Sequence, residues 1–151
     1  MRALIQRVSR ASVRFPELSG VAERGIGRGV AILVGCGIGD DAAAADRLAA
    51  KCASLRIFPD EQGRFSKSLA EVQGSALIVS QFTLSADCGK GRRPDFLGAL
   101  PAEQAAPLVR RFAEAFAAQG IPVAAGEFGA RMEVELVNDG PVTIWLDSAL
   151  L

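Results

Sequence analysis

The order of hydrophobic and polar residues predicts strands in the first half of the chain. Residues 2–8 alternate between the two classes, and residues 29–35 contain the unbroken apolar run VAILV bounded by glycines, as in a buried strand. A short strand is predicted at 55–58, where it ends before Pro59. Residues 76–84, with the sequence ALIVSQFTL, form the most strand-like stretch.

Two further segments have apolar residues at helical spacing. The first runs from about 41 to 55, behind the capping candidates Asp40 and Asp41. The second runs from about 102 to 119 and has Gly120 as its stop. The apolar face of this second helix is predicted to cover a sheet.

The C-terminal region alternates with a period of two, which predicts two strands, each with one buried side. The inward positions are Met132, Val134 and Leu136 in the first strand and Val142, Ile144 and Leu146 in the second. Their polar connection predicts a hairpin, with Pro141 in the loop or at the first strand position because it cannot donate a ladder hydrogen bond. The order of elements favours an α+β fold with a mixed or antiparallel sheet, in a single domain spanning 1–151.

Composition limits the chemistry. The chain has no histidine, which excludes every mechanism that needs an imidazole base or ligand. Lys and Arg number 17, as do Asp and Glu, so contact with nucleic acid would come from a local cationic patch.

Cys36, Cys52 and Cys88 lack a CxxC spacing and suit reduced thiols. The N-terminus resembles neither a signal peptide nor a membrane span, so a cytoplasmic location without membrane attachment is expected.

Two short segments are candidate binding sites. The run GCGIGD at 35–40 follows a strand and precedes a helix, as in nucleotide-binding turns. Its third glycine is one position early, however, and an ordinary strand-to-helix turn is the favoured interpretation. The loop at 85–98 clusters Lys90, Arg92 and Arg93 with glycines, which suits contact with phosphates but also suits a solvated loop.

Polar residues interrupt the apolar run before this loop. Ser80, Gln81 and Thr83 would be buried polar side chains, which need partners or line a site. The sequence SQFTL at 80–84, together with NDGPVT at 138–143, resembles the paired signature of the D-aminoacyl-tRNA deacylases, the family that removes D-amino acids from mischarged tRNA. The resemblance covers nearly the whole chain, including MRALIQRVSRASV at its start, LRIF at 55–58, KGRRP at 90–94 and FGA at 128–130.

The resemblance implies a fold and an assembly. Mixed and antiparallel β-sheets would form a barrel-like core covered by two main helices. The protein would be a homodimer in which the Gly140–Pro141 step, with a cis peptide bond, reaches into the pocket of its partner. The carbonyl oxygens of this step would grip the substrate α-amino group and exclude an L side chain. Arg7 would brace the step, and Asn138 belongs to the same substrate-binding motif. Selection by exclusion predicts that glycyl-tRNA is also cleaved.

The reaction implied is hydrolysis of the ester bond of D-aminoacyl-tRNA, without a metal or cofactor. Thr83 is one candidate nucleophile, although no histidine is present to activate it. In the preferred alternative, backbone N–H groups around Phe82 and Thr83 hold the oxyanion, and the 2′-hydroxyl of the terminal adenosine helps water attack. The residues implied in catalysis are Ser80, Gln81, Phe82 and Thr83. Those implied in contacting phosphates near the tRNA 3′ end are Lys90, Arg92 and Arg93.

Two other classes of function are compatible with parts of the sequence. A non-catalytic, dimeric RNA-binding module would explain the cationic loop, and a structural dimerisation protein would explain the C-terminal hairpin. Neither explains the paired motifs. Ser85 and Cys88-Gly89 depart from the commonest family pattern, which bears on the shape of the loop and its affinity for tRNA more than on the reaction.

Overall fold

A computed structural model describes all residues from Met1 to Leu151. The strands are β1 (Arg2–Arg14), β2 (Arg24–Ile26), β3 (Gly29–Gly35), β4 (Phe58–Pro59), β5 (Phe65–Lys67), β6 (Ser75–Ser80), β7 (Val123–Ala125) and β8 (Glu133–Asp147). The helices are α1 (Ala42–Ser54) and α2 (Ala102–Ala117), with short 3₁₀ helices at Phe82–Ser85 and Ser148–Leu150. The predicted α+β class is confirmed.

The long strand β1 organises the main sheet because it has partners along both of its edges. β3 pairs with its first half and β2 with its second half, while β8 runs antiparallel to it along most of its length. β6 is parallel to β3, and β7 is parallel to β6. The result is a nearly closed mixed sheet, which forms a barrel-like core with the two helices. β4 and β5 form a separate two-stranded sheet.

Apolar side chains are buried on both faces of the main sheet. In β3, Val30, Ile32 and Val34 belong to the core shared with α1 and α2, whereas Ala31 belongs to a second cluster on the opposite face. β6 alternates in the same way between the two clusters. This explains the unbroken apolar run in β3, because a strand covered on both faces has no positions that face water.

Both helices begin and end close to the predicted residues. Asp41 is the N-cap of α1, and its side chain accepts a hydrogen bond from the Ala44 N–H at 2.8 Å. Phe112 and Phe116 of α2 are fully buried in the larger core. Burial of each ring contributes about 1.5–3 kcal/mol to stability. None of the helices combines the length and the apolar character needed to cross a membrane.

Two strands differ from their predicted bounds. The segment predicted at 55–58 becomes a strand only at Phe58, because Leu55 is still the C-cap of α1 and its N–H donates to the Cys52 carbonyl oxygen. The stretch predicted at 76–84 is a strand only as far as Ser80, after which the chain turns into a 3₁₀ helix. The strand prediction beyond Ser80 is wrong because a short apolar run does not by itself distinguish the two conformations.

The prediction of a C-terminal hairpin is also wrong. β8 is one continuous strand, and it stays paired with β1 because β1 extends to Arg14 instead of ending at Val8. The ladder between them shifts register on both sides of Val8. Pro141 therefore lies at an irregularity where no ladder hydrogen bond from its nitrogen is needed.

β8 forms an edge of the sheet. It pairs with β1 alone, so its other edge is open. Val134, Val137 and Trp145 are exposed, and Val142 is the one buried residue of the strand, so the expected buried face is only partly formed. A long edge strand with exposed apolar side chains is a surface that proteins usually cover.

Candidate active site

The backbone turns sharply after Ser80, the last residue of β6. Gln81 has φ −148° and ψ 85°, and its N–H donates to the Val34 carbonyl oxygen of β3 at 2.8 Å. Arg2 donates from Nη1 to the Leu84 carbonyl oxygen at 3.0 Å, which ties the 3₁₀ helix to β1. The turn is thereby held against the ends of two strands.

Gly35 permits this close approach. A Cβ atom at Gly35 would lie 2.5 Å from the Gln81 carbonyl oxygen, so any larger residue would push the turn away from β3. Sequence reasoning missed both Gly35 and Arg2 as supports of the site. Gly35 was visible only as part of a glycine-rich run, and Arg2 only as a polar strand position.

The turn presents two adjacent backbone N–H groups. The first hydrogen bond of the 3₁₀ helix runs from the Leu84 N–H to the Gln81 carbonyl oxygen at 3.3 Å. The N–H groups of Phe82 and Thr83 precede that bond and have no partner inside the helix. Both residues are exposed. Two such donors at an exposed turn can stabilise a negative charge that develops on a substrate oxygen.

The side chain of Thr83 is exposed, whereas its position in an apolar run predicted burial. Its hydroxyl accepts a hydrogen bond from the side-chain amide of Gln81. An amide N–H cannot remove a proton, so this contact does not activate the hydroxyl as a nucleophile. Ser80 and Gln81 are half-buried. The geometry at this turn favours chemistry by the backbone over chemistry by the Thr83 side chain.

A cavity of about 500 Å³ opens beside the turn. Ser80, Gln81 and Phe82 form part of its wall. Most of the rest comes from residues at the end of β3, from the first half of α2 with the residues just before it, and from the segment 128–134. Hydrophobic residues make up 13 of the 17 that line it, so the cavity suits an apolar or planar group. Sequence reasoning singled out 80–82 and the FGA segment of this wall, but not the contribution of α2.

Arg7 carries the one buried charged side chain of the protein, with 7% of its surface exposed. It donates from Nη1 to the Ile57 carbonyl oxygen at 2.6 Å and from Nε to the Asp139 carbonyl oxygen at 3.0 Å. The rings of Phe58 and Phe65 lie against its guanidinium group, with centroids 6.0 and 5.5 Å from Cζ. Arg7 thus ties β8 to the segment that contains β4 and β5.

The segment after Asp139 has an unusual backbone. The Gly140–Pro141 peptide bond is cis. Gly140 has φ +152°, and a Cβ atom there would lie 2.6 Å from the Val142 nitrogen, so only glycine fits without strain. The Asn138 side chain donates from Nδ2 to the carbonyl oxygens of Arg7 and Val142, at 2.9 and 3.0 Å. Gly140 and Pro141 are both exposed.

Within one chain, the two motifs form separate sites. No residue from 138–143 lines the cavity, and neither does Arg7. Arg7 pairs with Val30 of β3, which in turn pairs with Ala76 of β6. Ala76 lies four residues before Ser80, so Arg7 and Ser80 are offset by about 13 Å along the strand direction. Gly140 and Pro141 therefore lie away from the cavity of their own chain.

The cationic loop is closed at its base. Asp87 and Asp95 exchange two backbone hydrogen bonds of 2.8 Å each, and the chain then returns to the cavity wall. Lys90, Arg92 and Arg93 are exposed, and none of the ion pairs of the protein involves them. Their charges are available to an anionic ligand such as a phosphate backbone.

The cysteines differ in reactivity. Burial raises the pKa of Cys36 to about 11, with a smaller contribution from the charge of Asp40, and raises that of Cys52 to about 12. Both thiols are therefore protonated at neutral pH and are poor nucleophiles. Cys88 is exposed on the cationic loop.

No group of three or more Cys, Asp or Glu side chains is placed to hold a metal ion.

Comparison with known proteins identifies the family. The model of the D-Tyr-tRNA(Tyr) deacylase family matches residues 4–147. The chain belongs to this family. The D-aminoacyl-tRNA deacylase of Thermomicrobium roseum is 59% identical over 151 residues, which cover 100% of this chain and 96% of that protein. The D-aminoacyl-tRNA deacylase of Roseiflexus castenholzii is 58% identical over 150 residues, which cover 99% and 94%.

Solved structures share the fold. The c-Myc DNA unwinding element binding protein matches with a TM-score of 0.88 and 41% identity, over 97% of this chain and 98% of that one. A probable eukaryotic D-amino acid tRNA deacylase matches with a TM-score of 0.81 and 19% identity, over 96% and 97%. The second likeness is one of fold alone. The strands and helices of this fold thus position the turn, the cavity and the Gly140–Pro141 step.

Proposed function

We propose that the protein hydrolyses the ester bond of D-aminoacyl-tRNA and releases the free D-amino acid and tRNA, in the cytoplasm. The observation that carries this proposal is the turn at 80–83, where two backbone N–H donors adjoin a cavity of about 500 Å³ in a chain of the deacylase family. Ester hydrolysis passes through a tetrahedral oxyanion, which such donors stabilise. The relatives from T. roseum and R. castenholzii are named for the same activity.

The cavity would receive the terminal adenosine, which carries the ester. Its mostly hydrophobic lining suits a flat heteroaromatic base. The ester carbonyl oxygen would then lie near the N–H groups of Phe82 and Thr83. Lys90, Arg92 and Arg93 would meet the phosphates that lead away from the adenosine, and these contacts position the RNA without reading its sequence.

Water is the nucleophile in this proposal. The water oxygen attacks the ester carbonyl, and the two N–H groups stabilise the oxyanion. The 2′-hydroxyl of the adenosine orients the water, and the proton that the water loses passes to the departing 3′-oxygen as the ester bond breaks. The contact between the Thr83 hydroxyl and the Gln81 amide supports this account, because it offers the hydroxyl no base.

The choice of D over L substrates would come from Gly140 and Pro141 of a partner subunit in a homodimer. Both residues are exposed and lie outside the cavity of their own chain, and β8 leaves one long edge open for an interface. Arg7 and Asn138 hold the backbone on either side of this step. The carbonyl groups of Gly140 and Pro141 would grip the α-amino group of the substrate and leave no space for an L side chain.

The function is tested by incubating the protein with D-tyrosyl-, L-tyrosyl- and glycyl-tRNA and following loss of the ester. We expect the D-tyrosyl and glycyl esters to be cleaved and the L-tyrosyl ester to persist, because glycine has no side chain to exclude. An inert glycyl-tRNA would contradict steric exclusion. Retention of all three esters, with measurable binding of tRNA, would instead indicate a non-catalytic RNA-binding module.

The role of the partner subunit is tested by mixing two inactive variants. Gly140→Val displaces the carbonyl groups that grip the substrate α-amino group, and Gly35→Val displaces the turn, so each variant alone should be inactive. A mixed dimer contains one intact turn paired with one intact Gly140 step, so about a quarter of wild-type activity should return after the subunits exchange. A site completed within one chain would give no recovery.

A further inference from the structure

Two exposed phenylalanine rings, one of them in the cavity wall, pack against each other. Phe82 lines the cavity and is 58% exposed, whereas Phe96 does not line it and is 37% exposed. The ring centroids are 5.0 Å apart with an interplanar angle of 62°, which is an edge-to-face pair. Phe96 therefore lies outside the cavity, directly against a residue of its wall.

The base of the cationic loop fixes the position of Phe96. Asp95, which precedes it, is held by the paired hydrogen bonds to Asp87, and the Phe96 carbonyl oxygen accepts from the Ala99 N–H at 2.9 Å. Arg93 is three residues before Phe96, so their Cα atoms are at most about 11 Å apart. Phe96 therefore lies between the wall of the cavity and the cations in the order of contacts along the chain.

We propose that Phe96, held edge-to-face by Phe82, stacks on the base of the nucleotide that precedes the terminal adenosine in the single-stranded 3′ end of the substrate. This inference rests on the proposed function, in which the adenosine occupies the cavity. In this proposal, the strand runs from the cavity past the two rings to the cations. Sites for single-stranded nucleic acid combine a cationic track with exposed aromatic rings in this way.

The unpaired cations beside the rings favour RNA as the occupant over an apolar protein surface. Docking of a protein face without acidic residues would bury Arg92 and Arg93 near the interface without compensation, which is costly. Because every base has a π face, the stacking contact tolerates any base at this position. The nucleotide before the terminal adenosine is the same in all tRNAs, which end in CCA, so the site would serve different tRNAs equally.

The test compares two substrates that differ only in one base. One is the D-tyrosyl ester of the dinucleotide CpA, and the other is the same ester with an abasic first nucleotide, which keeps the phosphate. Phe96→Ala should lower the ratio of kcat/KM for CpA to kcat/KM for the abasic substrate about tenfold, equivalent to ~1.4 kcal/mol. Phe96→Trp should keep this ratio near the wild-type value. Leu97→Ala, at the next residue and 82% exposed, is the matched control and should leave the ratio unchanged.

The possible failures are distinguishable. If the wild type cleaves both esters with equal kcat/KM, or if Phe96→Ala leaves the ratio unchanged, the stacking site is wrong while the proposed function stands. If the wild type cleaves neither ester, nor D-tyrosyl-tRNA, both proposals fall. If Phe96→Ala changes the sedimentation of the protein, the ring belongs to a contact between copies and the RNA assignment is overturned.

Discussion

The Nε atom of Arg7 contacts Asp139 at two points, its backbone carbonyl oxygen at 3.0 Å and its carboxylate Oδ2 at 3.1 Å. Asp139 is the residue immediately before Gly140, so this contact fixes the backbone at the entry to the exposed Gly140–Pro141 step. The same guanidinium group also binds the Ile57 carbonyl oxygen. One buried cation thereby sets the position of the step relative to the rest of the fold.

Arg7→Met is expected to lower the free energy of unfolding by about 1–3 kcal/mol, because the Ile57 and Asp139 carbonyl oxygens lose their donor. It should also reduce deacylation of D-tyrosyl-tRNA at least tenfold through displacement of Gly140. Urea denaturation and initial rates measure the two effects. Arg7→Lys should not restore activity, since one ammonium group cannot reproduce the fixed geometry of the guanidinium fork.

The matched control is Arg10→Met on the same strand. Arg10 is exposed and pairs with Glu135 at 3.4 Å, so its loss should change stability by no more than about 0.5 kcal/mol. Equal activity of the Arg7 and Arg10 variants would show that Arg7 does not position the step.

Gly35→Ala is expected to lower kcat on the order of 10²-fold, because the new Cβ would displace Gln81 and with it the N–H donors of the turn. The accompanying loss of stability should be about 1–3 kcal/mol, typical of overpacking. Single-turnover rates and thermal unfolding separate the two. Gly27→Ala is the control, since a Cβ there meets nothing within 4 Å. A Gly35→Ala enzyme as active as Gly27→Ala would mean that the turn is not the catalytic element.

The N-terminal ammonium group of Met1 is a structural ion-pair partner. It contacts Asp40 and the Ser148 hydroxyl, while the other carboxylate oxygen of Asp40 accepts from the Gly37 N–H at 2.6 Å. Extending the chain before Met1 converts the ammonium group into an amide and should cost about 1–3 kcal/mol, or about 4–10 °C in Tm. The same extension placed after Leu151, which is exposed, is the control. In the Asp40→Asn variant, the N-terminal extension should lower the free energy of unfolding by less than it does in the wild type. If the losses from the extension and from Asp40→Asn simply add, the proposed pairing is contradicted.

Only one of the three thiols should react in the native protein at pH 8. Cys36 and Cys52 are buried, and burial raises their pKa so that both stay protonated, whereas Cys88 is exposed. Titration with a disulfide reagent should give one thiol per native chain and three after denaturation. Cys88→Ser should abolish the native reaction, and persistent reactivity in that variant would contradict the burial of the other two.

Alkaline pH should weaken the fold through the same two thiols. Their pKa is about 11 and 12 in the folded state against an ordinary value of 9.0. Their contribution to stability is thus complete below pH 9 and is lost as the pH rises toward those folded values, because the unfolded chain gives up its protons first. Unfolding in urea at pH 8 and pH 10 measures the loss. Cys52→Ala should show a smaller decrease than the wild type between these two pH values.

Local signals predicted a large part of the fold. The bounds of β3 follow from its flanking glycines, and the start of α1 follows from Asp41, because a cap and a glycine act on their immediate neighbours. The motif at 80–84 was located, but its conformation was not. The turn after Ser80 depends on Val34 and Arg2, which are distant in sequence and give no local sign of the contact.

The sequence by itself determined the residue types available for chemistry. It contains no histidine, places SQFTL after a buried strand and sets a Gly-Pro step in a polar segment. The tertiary structure decided where these groups lie. The partner strand β1 keeps β8 extended through Pro141 instead of allowing a hairpin, and burial of Arg7 orders the backbone before Gly140. Pairing and burial depend on contacts between distant segments, whereas the local pattern of a chain records only which residues can make them.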